Sequence, residues 1–169
     1  TNTTLKNNTA SYGGAIYWSG NYGTLNNVTI FNSASQTVDN SRAADGGAIH
    51  LSGTHCNLND ITITNSSSNI ENSNLWRTSY GGAIFVGGSD NTLTNVNIDD
   101  SQALSVKIDA RGGAIFWSGS SGTLINATIS NTLANGQGGA IYWSGSSPTI
   151  ENISIEYSRT NVINYSNTA

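Results

Sequence analysis

The chain has 169 residues, a formal net charge of −4 at pH 7 and only six basic residues. Nucleic acids and anionic membranes are therefore not expected as partners, because both are bound chiefly through Lys and Arg side chains. No apolar run approaches the ~20 residues of a membrane-spanning helix, so membrane insertion is not expected either.

One motif recurs along the whole chain: Gly-Gly-Ala-Ile followed by a residue with a ring. Its copies begin at Gly13, Gly46, Gly81, Gly112 and Gly138. An aliphatic residue stands 12 residues after the first glycine of every copy, and a second stands five residues later. These two columns are Leu25, Leu58, Leu93, Leu124, Ile150 and Ile30, Ile63, Ile98, Ile129, Ile155. The distance from the second column to the next motif varies: 16, 18, 14 and 9 residues. A constant unit with one elastic segment is typical of a solenoid whose insertions leave at one corner.

Three short strands are predicted in each copy. In the first copy they are the Gly-Gly-Ala-Ile strand, a very short strand at Leu25, and a strand over residues 28–30, where β-branched residues alternate with Asn or Thr. The closest copies set the bare coil at 26 residues. We therefore predict an all-β, single-domain right-handed parallel β-helix over residues 1–169. It has about five coils, stacked about 4.8 Å apart, and variable loops at one corner.

The alternation of side chains along a strand predicts which way each column faces. The motif isoleucines are expected inside: Ile16, Ile49, Ile84, Ile115 and Ile141. The column two residues later is also expected inside: Trp18, Leu51, Val86, Trp117 and Trp143. The motif alanines and the ring residues are expected outside. The Gly-Gly pairs are expected where φ is positive or where two backbones approach closely.

The ring column is a candidate contact face. Its members are Tyr17, His50, Phe85, Phe116 and Tyr142. They are expected to form an outward ladder on one flat face, and exposed aromatic surface is typical of a site that binds sugars or another protein. The alternative is that a loop from the elastic corner folds over these rings.

A polar column interrupts the aliphatic ones and requires a bend: Asn27, Asp60, Asn95, Asn126 and Asn152. We favour an asparagine ladder, in which stacked side-chain amides bond to one another along the solenoid. The alternative is N-glycosylation, because three members begin Asn-Xaa-Ser/Thr sequons. Seven sequons are candidate glycosylation sites and favour an exported protein: Asn2, Asn7, Asn27, Asn65, Asn126, Asn152 and Asn164.

Cys56 is the only cysteine, so no internal disulfide can form. It is a candidate intermolecular thiol; the alternative, which we favour, is a thiol without function. Glycine fills the same turn position in two other copies, at Gly23 and Gly122. This predicts that Cys56 is not deeply buried.

The repeated motif, with its following Asn-Xaa-Thr-Ile strand, resembles the adhesin-like β-helix proteins of methanogenic archaea. It is also similar to the Gly-Gly-Ala-Ile repeats of chlamydial polymorphic membrane proteins. The resemblance covers residues 5–155 and implies a β-helix at the cell surface. The Phe-Xaa-Xaa-Asn half of the bacterial motif is only partly kept, since Asn32 and Asn65 come one place early. Of the two comparisons, the archaeal one is favoured.

An enzymatic function is not expected. Cleavage or elimination of acidic polysaccharides, which many parallel β-helices perform, needs clustered carboxylates or a Ca²⁺ site beside a base. The ten acidic residues do not recur at one column. Asp45 and Arg111 precede Gly-Gly pairs and are expected on loops, and His50 and His55 lack metal-ligand spacing to the acids. No catalytic residue, metal site or cofactor is predicted. A polysaccharide lyase or hydrolase is the alternative.

The chain opens and closes within the repeat pattern. Bare solenoid ends expose strand edges and apolar core, which predicts head-to-tail association of copies. The alternative is a cap that folds back through Val162, Ile163 and Tyr165. We expect an extracellular or cell-surface protein with a structural or adhesive role, which associates with itself head-to-tail or laterally. The alternative is an adhesin segment of a larger surface protein, which binds carbohydrate or another cell surface.

Overall fold

The computed structural model describes residues 2–37, 43–70, 77–106 and 109–161. These ranges contain sixteen strands and no helix, and so no helix that is long and apolar enough to cross a membrane. Five strands carry the motif: β3 (Ile16–Trp18), β6 (Ile49–Leu51), β9 (Ile84–Val86), β11 (Ile115–Trp117) and β14 (Ile141–Trp143). Five are longer: β4 (Thr24–Thr37), β7 (Asn57–Ile70), β10 (Thr92–Ser105), β12 (Thr123–Ser130) and β15 (Thr149–Glu156). The others are β1 (Thr3–Lys6), β2 (Thr9–Ala10), β5 (Ala44–Asp45), β8 (Ser79–Tyr80), β13 (Leu133–Ala134) and β16 (Arg159–Thr160).

Each strand pairs in parallel with the equivalent strand of the next coil. The motif strands form a sheet in the order β14-β11-β9-β6-β3, and the longer strands follow the order β1-β4-β7-β10-β12-β15 in a second sheet. The register places equal columns opposite one another, as Leu25 opposite Leu58 and Ile30 opposite Ile63. The chain is a parallel β-solenoid, as the repeat predicted.

The longer strands exceed their predicted length because they bend without ending. In β4 the backbone turns at Asn27 (φ 54°) and again at Asn32 (φ 50°), and strand pairing continues to Thr37. The segment at Leu25 and the segment over 28–30 are therefore parts of one bent strand. The pairing is interrupted only at the bend residues and resumes after each of them, because its hydrogen bonds run between coils. The elastic segment of this copy begins only after Thr37.

The two glycines of each motif are required for different reasons. The first has a positive φ, from 52° at Gly13 to 70° at Gly112, which L side chains rarely adopt. The second lies against the backbone that follows the second bend: in β4, β7 and β10 for the first three copies, and in β13 and β16 for the last two. A Cβ on Gly82 would come within 2.0 Å of the Gly113 oxygen and 2.5 Å of the Gln102 carbonyl carbon. Both predicted reasons for glycine are confirmed, one at each position.

Small side chains line the strand segments that face these glycines. Three of the buried ones, Ser33, Ser66 and Ser101, are in register and 1% exposed. Two residues further along, Ser35 and Ser68 are 0% exposed. The solenoid is narrow here because backbone meets backbone, so only small side chains fit inside.

The core is a stack of aliphatic and tryptophan columns. The inner motif isoleucines are at most 1% exposed: Ile49, Ile84 and Ile115. Ile16 and Ile141 are half-buried because the structure shows a neighbouring coil on only one side of each. The column that contains Trp117 faces inward, as predicted, and Trp117 is fully buried.

The motif alanines, however, are inside and not outside. Ala48, Ala83 and Ala114 are 0% exposed and belong to the hydrophobic core. The strand begins only at the following isoleucine. The alternation of side chains therefore does not extend back to alanine, which sits in the bend that follows the glycines.

The side chains at two inward positions, five residues apart, vary in size in opposite directions from coil to coil. In four coils the second residue is larger where the first is smaller: Trp18 with Gly23, Trp117 with Gly122, Leu51 with Cys56, Val86 with Asn91. The fifth coil departs from this pattern, because Trp143 is followed at the same spacing by Pro148, which is exposed. A Cβ on Gly122 would lie 2.5 Å from the Trp117 ring. Asn91 is fully buried, and its Nδ2 donates to the carbonyls of Gly53 (2.9 Å) and Gly88 (2.8 Å). Each pair thus keeps the turn filled.

Replacing Ile84 with Asp is expected to unfold the chain. Ile84 is 0% exposed, and burial of an unpaired carboxylate costs several kcal/mol or more, which is a large part of the stability of a domain. Circular dichroism and thermal melting measure the effect. Asn97→Asp is the matched control, because Asn97 is exposed on β10. A Tm of Ile84→Asp within a few degrees of the parent would show that the inward assignment is wrong.

Candidate functional site

The ring column forms an unbroken stack along the solenoid. The ring centroids of successive members are 4.9, 4.5, 5.4 and 5.4 Å apart, in the order Tyr17, His50, Phe85, Phe116, Tyr142. The angles between ring planes lie between 3° and 17°. The parallel register of the motif strands produces this stack, because it places each ring directly opposite the next.

The stack is less exposed than predicted. His50 and Phe116 are each 7% exposed, Phe85 and Tyr142 are half-buried, and Tyr17 is 58% exposed. The prediction of an open, flat aromatic face is therefore wrong at His50 and Phe116. A role of the column in contacts stays a prediction, and Tyr17 is the member open enough to serve it.

The side chains that cover the rings come from the position directly before each Gly-Gly pair. The ring of Tyr12 lies 5.2 Å from that of His50, and the ring of Tyr80 lies 4.5 Å from that of Phe116. The guanidinium of Arg111 lies 5.1 Å from the centre of the Tyr142 ring. These residues end the elastic segments, so the alternative of a cover from that corner describes the structure better. The sequence carried a signal for this cover, a column of mostly large side chains: Tyr12, Asp45, Tyr80, Arg111 and Gln137.

The expectation that Asp45 and Arg111 lie on loops is wrong. Asp45 belongs to β5, opposite Tyr80 of β8, and is 8% exposed. Arg111 is half-buried and forms parallel bridges with Tyr80 and Gln137. The residue before each glycine pair is not on a loop, because its backbone still pairs with the equivalent residue of the neighbouring coil.

Two titratable side chains are buried in this layer. Burial raises the pKa of Asp45 to about 7 and lowers the pKa of His50 to about 4. Asp45 Oδ1 and His50 Nδ1 have no hydrogen-bond partner among the described residues. Desolvation therefore favours the neutral form of both groups in the folded chain.

The polar column of the first bend forms the expected ladder from Asn152 to Asp60, but not on to Asn27. Its five members have φ between 54° and 56°, a region that Asn and Asp tolerate better than other residues. Asn152 Nδ2 donates to Asn126 Oδ1 (3.2 Å), and Asn126 Nδ2 donates to Asn95 Oδ1 (3.1 Å). Asn95 Nδ2 then donates to Asp60 Oδ1 (2.8 Å). The amides all point the same way along the axis.

A second ladder, which was not predicted, lies at the second bend. Asn65 Nδ2 donates to Asn32 Oδ1 (2.8 Å), and Asn32 Nδ2 donates to Asn7 Oδ1 (3.2 Å). Further along, Asn131 Nδ2 donates to Asp99 Oδ1 (2.8 Å) and not to the bend residue Asp100. Hydrogen bonds from Ser130 and Asn131 lower the pKa of Asp99. The sequence carried a signal for this ladder too, an Asn or Asp five residues after four of the five members of the first: Asn32, Asn65, Asp100 and Asn131. Tyr157 stands at this position after Asn152.

The ladders bear on the candidate glycosylation sites. A glycan attaches to Nδ2, and in Asn65, Asn126 and Asn152 this atom already donates within a ladder. Asn2 is exposed. Asn164 lies outside the described residues, as do Val162, Ile163 and Tyr165 of the expected cap. Glycosylation stays a prediction.

Cys56 is buried, contrary to expectation. It is 1% exposed, and its Sγ lies 3.3 Å from the Gly20 carbonyl oxygen. Its backbone N–H donates to Asn91 Oδ1 (2.8 Å). The glycines at this position in other coils make room for a neighbouring tryptophan, which Leu51 replaces here. A disulfide to a second chain would require this turn to open.

Within the described ranges, no three His, Cys, Asp or Glu side chains come together in a way that could hold a metal ion. His55 Nε2 lies 3.8 Å from Asp90 Oδ2, with both side chains about half exposed, and the His55 ring stacks on Tyr22. The absence of catalytic, metal and cofactor sites stays a prediction.

Comparison with protein families supports one part of the resemblance. Residues 2–17 match the Chlamydia polymorphic membrane protein repeat. That stretch contains β1, the bend at Asn7 and the first motif up to Tyr17. No curated protein and no solved structure matches the chain. The repeat match and the parallel β-solenoid fit a surface-protein or adhesin-like role, whereas the archaeal resemblance stays a prediction.

Asp45→Asn is expected to change the pH dependence of stability. The folded pKa of Asp45, about 7, lies above its ordinary value of 3.8. The parent therefore loses stability as the pH rises from about 4 to about 7, and the loss persists above that range. Its full size is on the order of 4 kcal/mol. Urea unfolding at several pH values should show Asp45→Asn more stable than the parent near pH 8 and equal to it near pH 3.

His50→Phe provides the opposite profile with the ring kept, as at Phe85 and Phe116. The folded pKa of His50, about 4, lies below its ordinary value of 6.5. The parent therefore loses stability as the pH falls from about 6.5 to about 4. His50→Phe should stabilise the chain near pH 4 and not near pH 8. A pH-independent effect of either variant would contradict the buried, neutral state of that group.

Proposed function

We propose that this chain is a non-enzymatic part of an extracellular or cell-surface protein, in which it acts as a rigid structural and adhesive rod. In this proposal the rod is a β-helix of about five coils, one for each copy of the motif. It is right-handed, because crossovers between parallel strands adopt that hand. The match of residues 2–17 to a repeat of surface proteins supports the location.

One observation carries the proposal: stacking continues from coil to coil in several columns at once. The rings run without a gap from Tyr17 to Tyr142, and the amide hydrogen bonds run from Asn152 to Asp60. Each of these columns holds neighbouring coils together. The outward positions between the two bends carry small polar side chains in successive coils, as Thr29, Thr62 and Asn97 do. Such a face suits weak contacts that gain strength by repetition.

Retention of beads under flow tests the adhesive role. Beads that carry the biotinylated chain are expected to stay on a panel of bacterial, archaeal and epithelial cell surfaces. Beads that carry Ile84→Asp, which has almost the same composition but no solenoid, are the control and are expected to wash off. Equal retention of both would contradict adhesion.

The same protein is expected to release no reducing ends and no unsaturated products from polygalacturonate, alginate or xylan. Product above the background of Ile84→Asp would contradict the non-enzymatic role and favour a polysaccharide lyase or hydrolase.

A second proposal is head-to-tail association with another copy. Ile150 and Ile155 of β15 are 49% and 47% exposed, although the same columns are buried in the inner coils. Residues 13–20 and 138–145 have the same sequence, Gly-Gly-Ala-Ile-Tyr-Trp-Ser-Gly. Trp117 and Trp143 stack with their ring centroids 4.2 Å apart. Trp18 of a second copy lies in the same sequence as Trp143, so its ring could stack on Trp143 in the same way. The occupant of this face would thus repeat contacts that the solenoid already makes.

Light scattering over a range of protein concentrations tests this association. The mass is expected to rise with concentration for the parent and to stay at 17.6 kDa for Ile155→Lys. Ser154→Lys is the matched control, because Ser154 is the exposed neighbour on the outward face of the same strand. A parent that remains a 17.6 kDa monomer up to its solubility limit would contradict the proposal.

A further inference from the structure

A polar groove lies on the outward surface of β4, β7 and β10, where the first bend faces solvent. Its volume is about 310 Å³, and its lining residues are Asn2, Asn27, Thr29, Asp60, Thr62 and Asn95. These side chains are amides, hydroxyls and one carboxylate. The groove contains no aromatic or aliphatic side chain and no cation.

The first asparagine ladder is interrupted inside this groove. Asp60 receives hydrogen bonds from Asn95 Nδ2 on one oxygen (2.8 Å) and from Asn59 Nδ2 on the other (2.9 Å). A carboxylate has no N–H to pass on, so Asp60 cannot donate to Asn27 as an asparagine would. The side-chain amides of Asn27 and Asn2 make no hydrogen bond to another described residue. The groove therefore holds donors and acceptors that the ladder leaves unused.

The unused donors and acceptors of the groove favour one class of ligand. Each Asp60 oxygen keeps a free lone pair, so the carboxylate can accept from two neighbouring hydroxyls, while Asn27 can both donate and accept. A ligand must then offer several O–H groups that donate and accept at close spacing. We propose that the groove binds a neutral saccharide, with Asp60 and Asn27 contacting adjacent hydroxyl groups and Thr62 contacting a third. This inference rests on the proposed adhesive function and names its ligand class.

Charge and coordination disfavour the other candidates for this groove. The one charged group is a carboxylate and the chain as a whole carries −4, so acidic sugars and phosphates are repelled. A divalent cation would need several oxygen ligands, and Asp60 is the one carboxylate among the lining residues. Contacts through polar groups alone, without a stacking ring, bind weakly. A cell surface that presents many copies of the groove would raise the effective strength.

Nuclear magnetic resonance titration tests the proposal with defined probes. The probes are cellohexaose, xylohexaose, laminarihexaose and mannohexaose, with hexagalacturonate as the anionic control. At least one neutral oligosaccharide is expected to shift the amide resonances of Thr62 and Asn95 in a saturable way, and hexagalacturonate is expected to leave them unchanged. Asp60→Asn removes the charged acceptor and completes the ladder, so it should keep the Tm and weaken binding about tenfold.

A matched pair of variants isolates the groove from the general surface. Thr62→Val should weaken binding about fivefold. Thr128→Val, in the same outward column but away from the groove, should leave the affinity unchanged. Equal effects of the two valines, or an Asp60→Asn affinity equal to that of the parent, would overturn the assignment.

The outcome also separates this inference from the function on which it rests. If beads are retained on cells but no neutral oligosaccharide shifts Thr62 and Asn95, the groove assignment fails and the adhesive function stands. If shifts appear only elsewhere, for example at Tyr17 and Tyr22, the saccharide site is there and the groove assignment also fails. If beads wash off and no probe binds, both fail.

Discussion

Parallel backbone hydrogen bonds between coils hold every column of this solenoid in register. They run from Gly13 N to the Asp45 carbonyl (2.9 Å), from Gly46 N to that of Tyr80 (2.8 Å), and likewise from the motifs that begin at Gly81 and Gly112. Because parallel strands lie about 4.8 Å apart, each side chain meets its own equivalent above and below. The side chains of a column must therefore be of a type that can pack against the same type without repulsion. Aliphatic chains, rings and amides do so, but like charges directly opposite each other repel. The 9% of charged residues is consistent with that constraint.

The same register lowers the free-energy cost of a sharp bend in a strand. A residue with positive φ would end the hydrogen bonding of a hairpin strand, but here the partners lie in the neighbouring coil and turn at the same place. Asn27 and Asp60 turn together, as do Asn32 and Asn65, with φ between 50° and 56°. The amides that stack at these corners then add hydrogen bonds of their own. Backbone conformation and side-chain bonding thus favour the same residue type at the same position.

Much of the fold followed from the repeat, because spacing alone determines the register of a solenoid. The solenoid, the inward isoleucines, the two uses of glycine and the first asparagine ladder were predicted from the sequence. Exposure was predicted less well, because it depends on neighbours outside the column. The rings at His50 and Phe116 are covered by side chains that precede the glycines, and Cys56 is buried because Leu51 is smaller than tryptophan. The groove depends on where one carboxylate interrupts a ladder, and no periodicity marks the shape of the surface around it.

The opposite variation in size at the two inward turn positions limits which substitutions the chain can accept. Val86→Trp alone would force an indole against Asn91, and Asn91→Gly alone would leave a cavity and remove hydrogen bonds to Gly53 and Gly88. Made together, the two changes recreate the pairing found at Trp117 and Gly122. Their effects on stability must therefore be strongly non-additive. Whole coils of this solenoid can be interchanged more readily than single residues, so the coil is the unit in which such a rod can be lengthened, shortened or recombined.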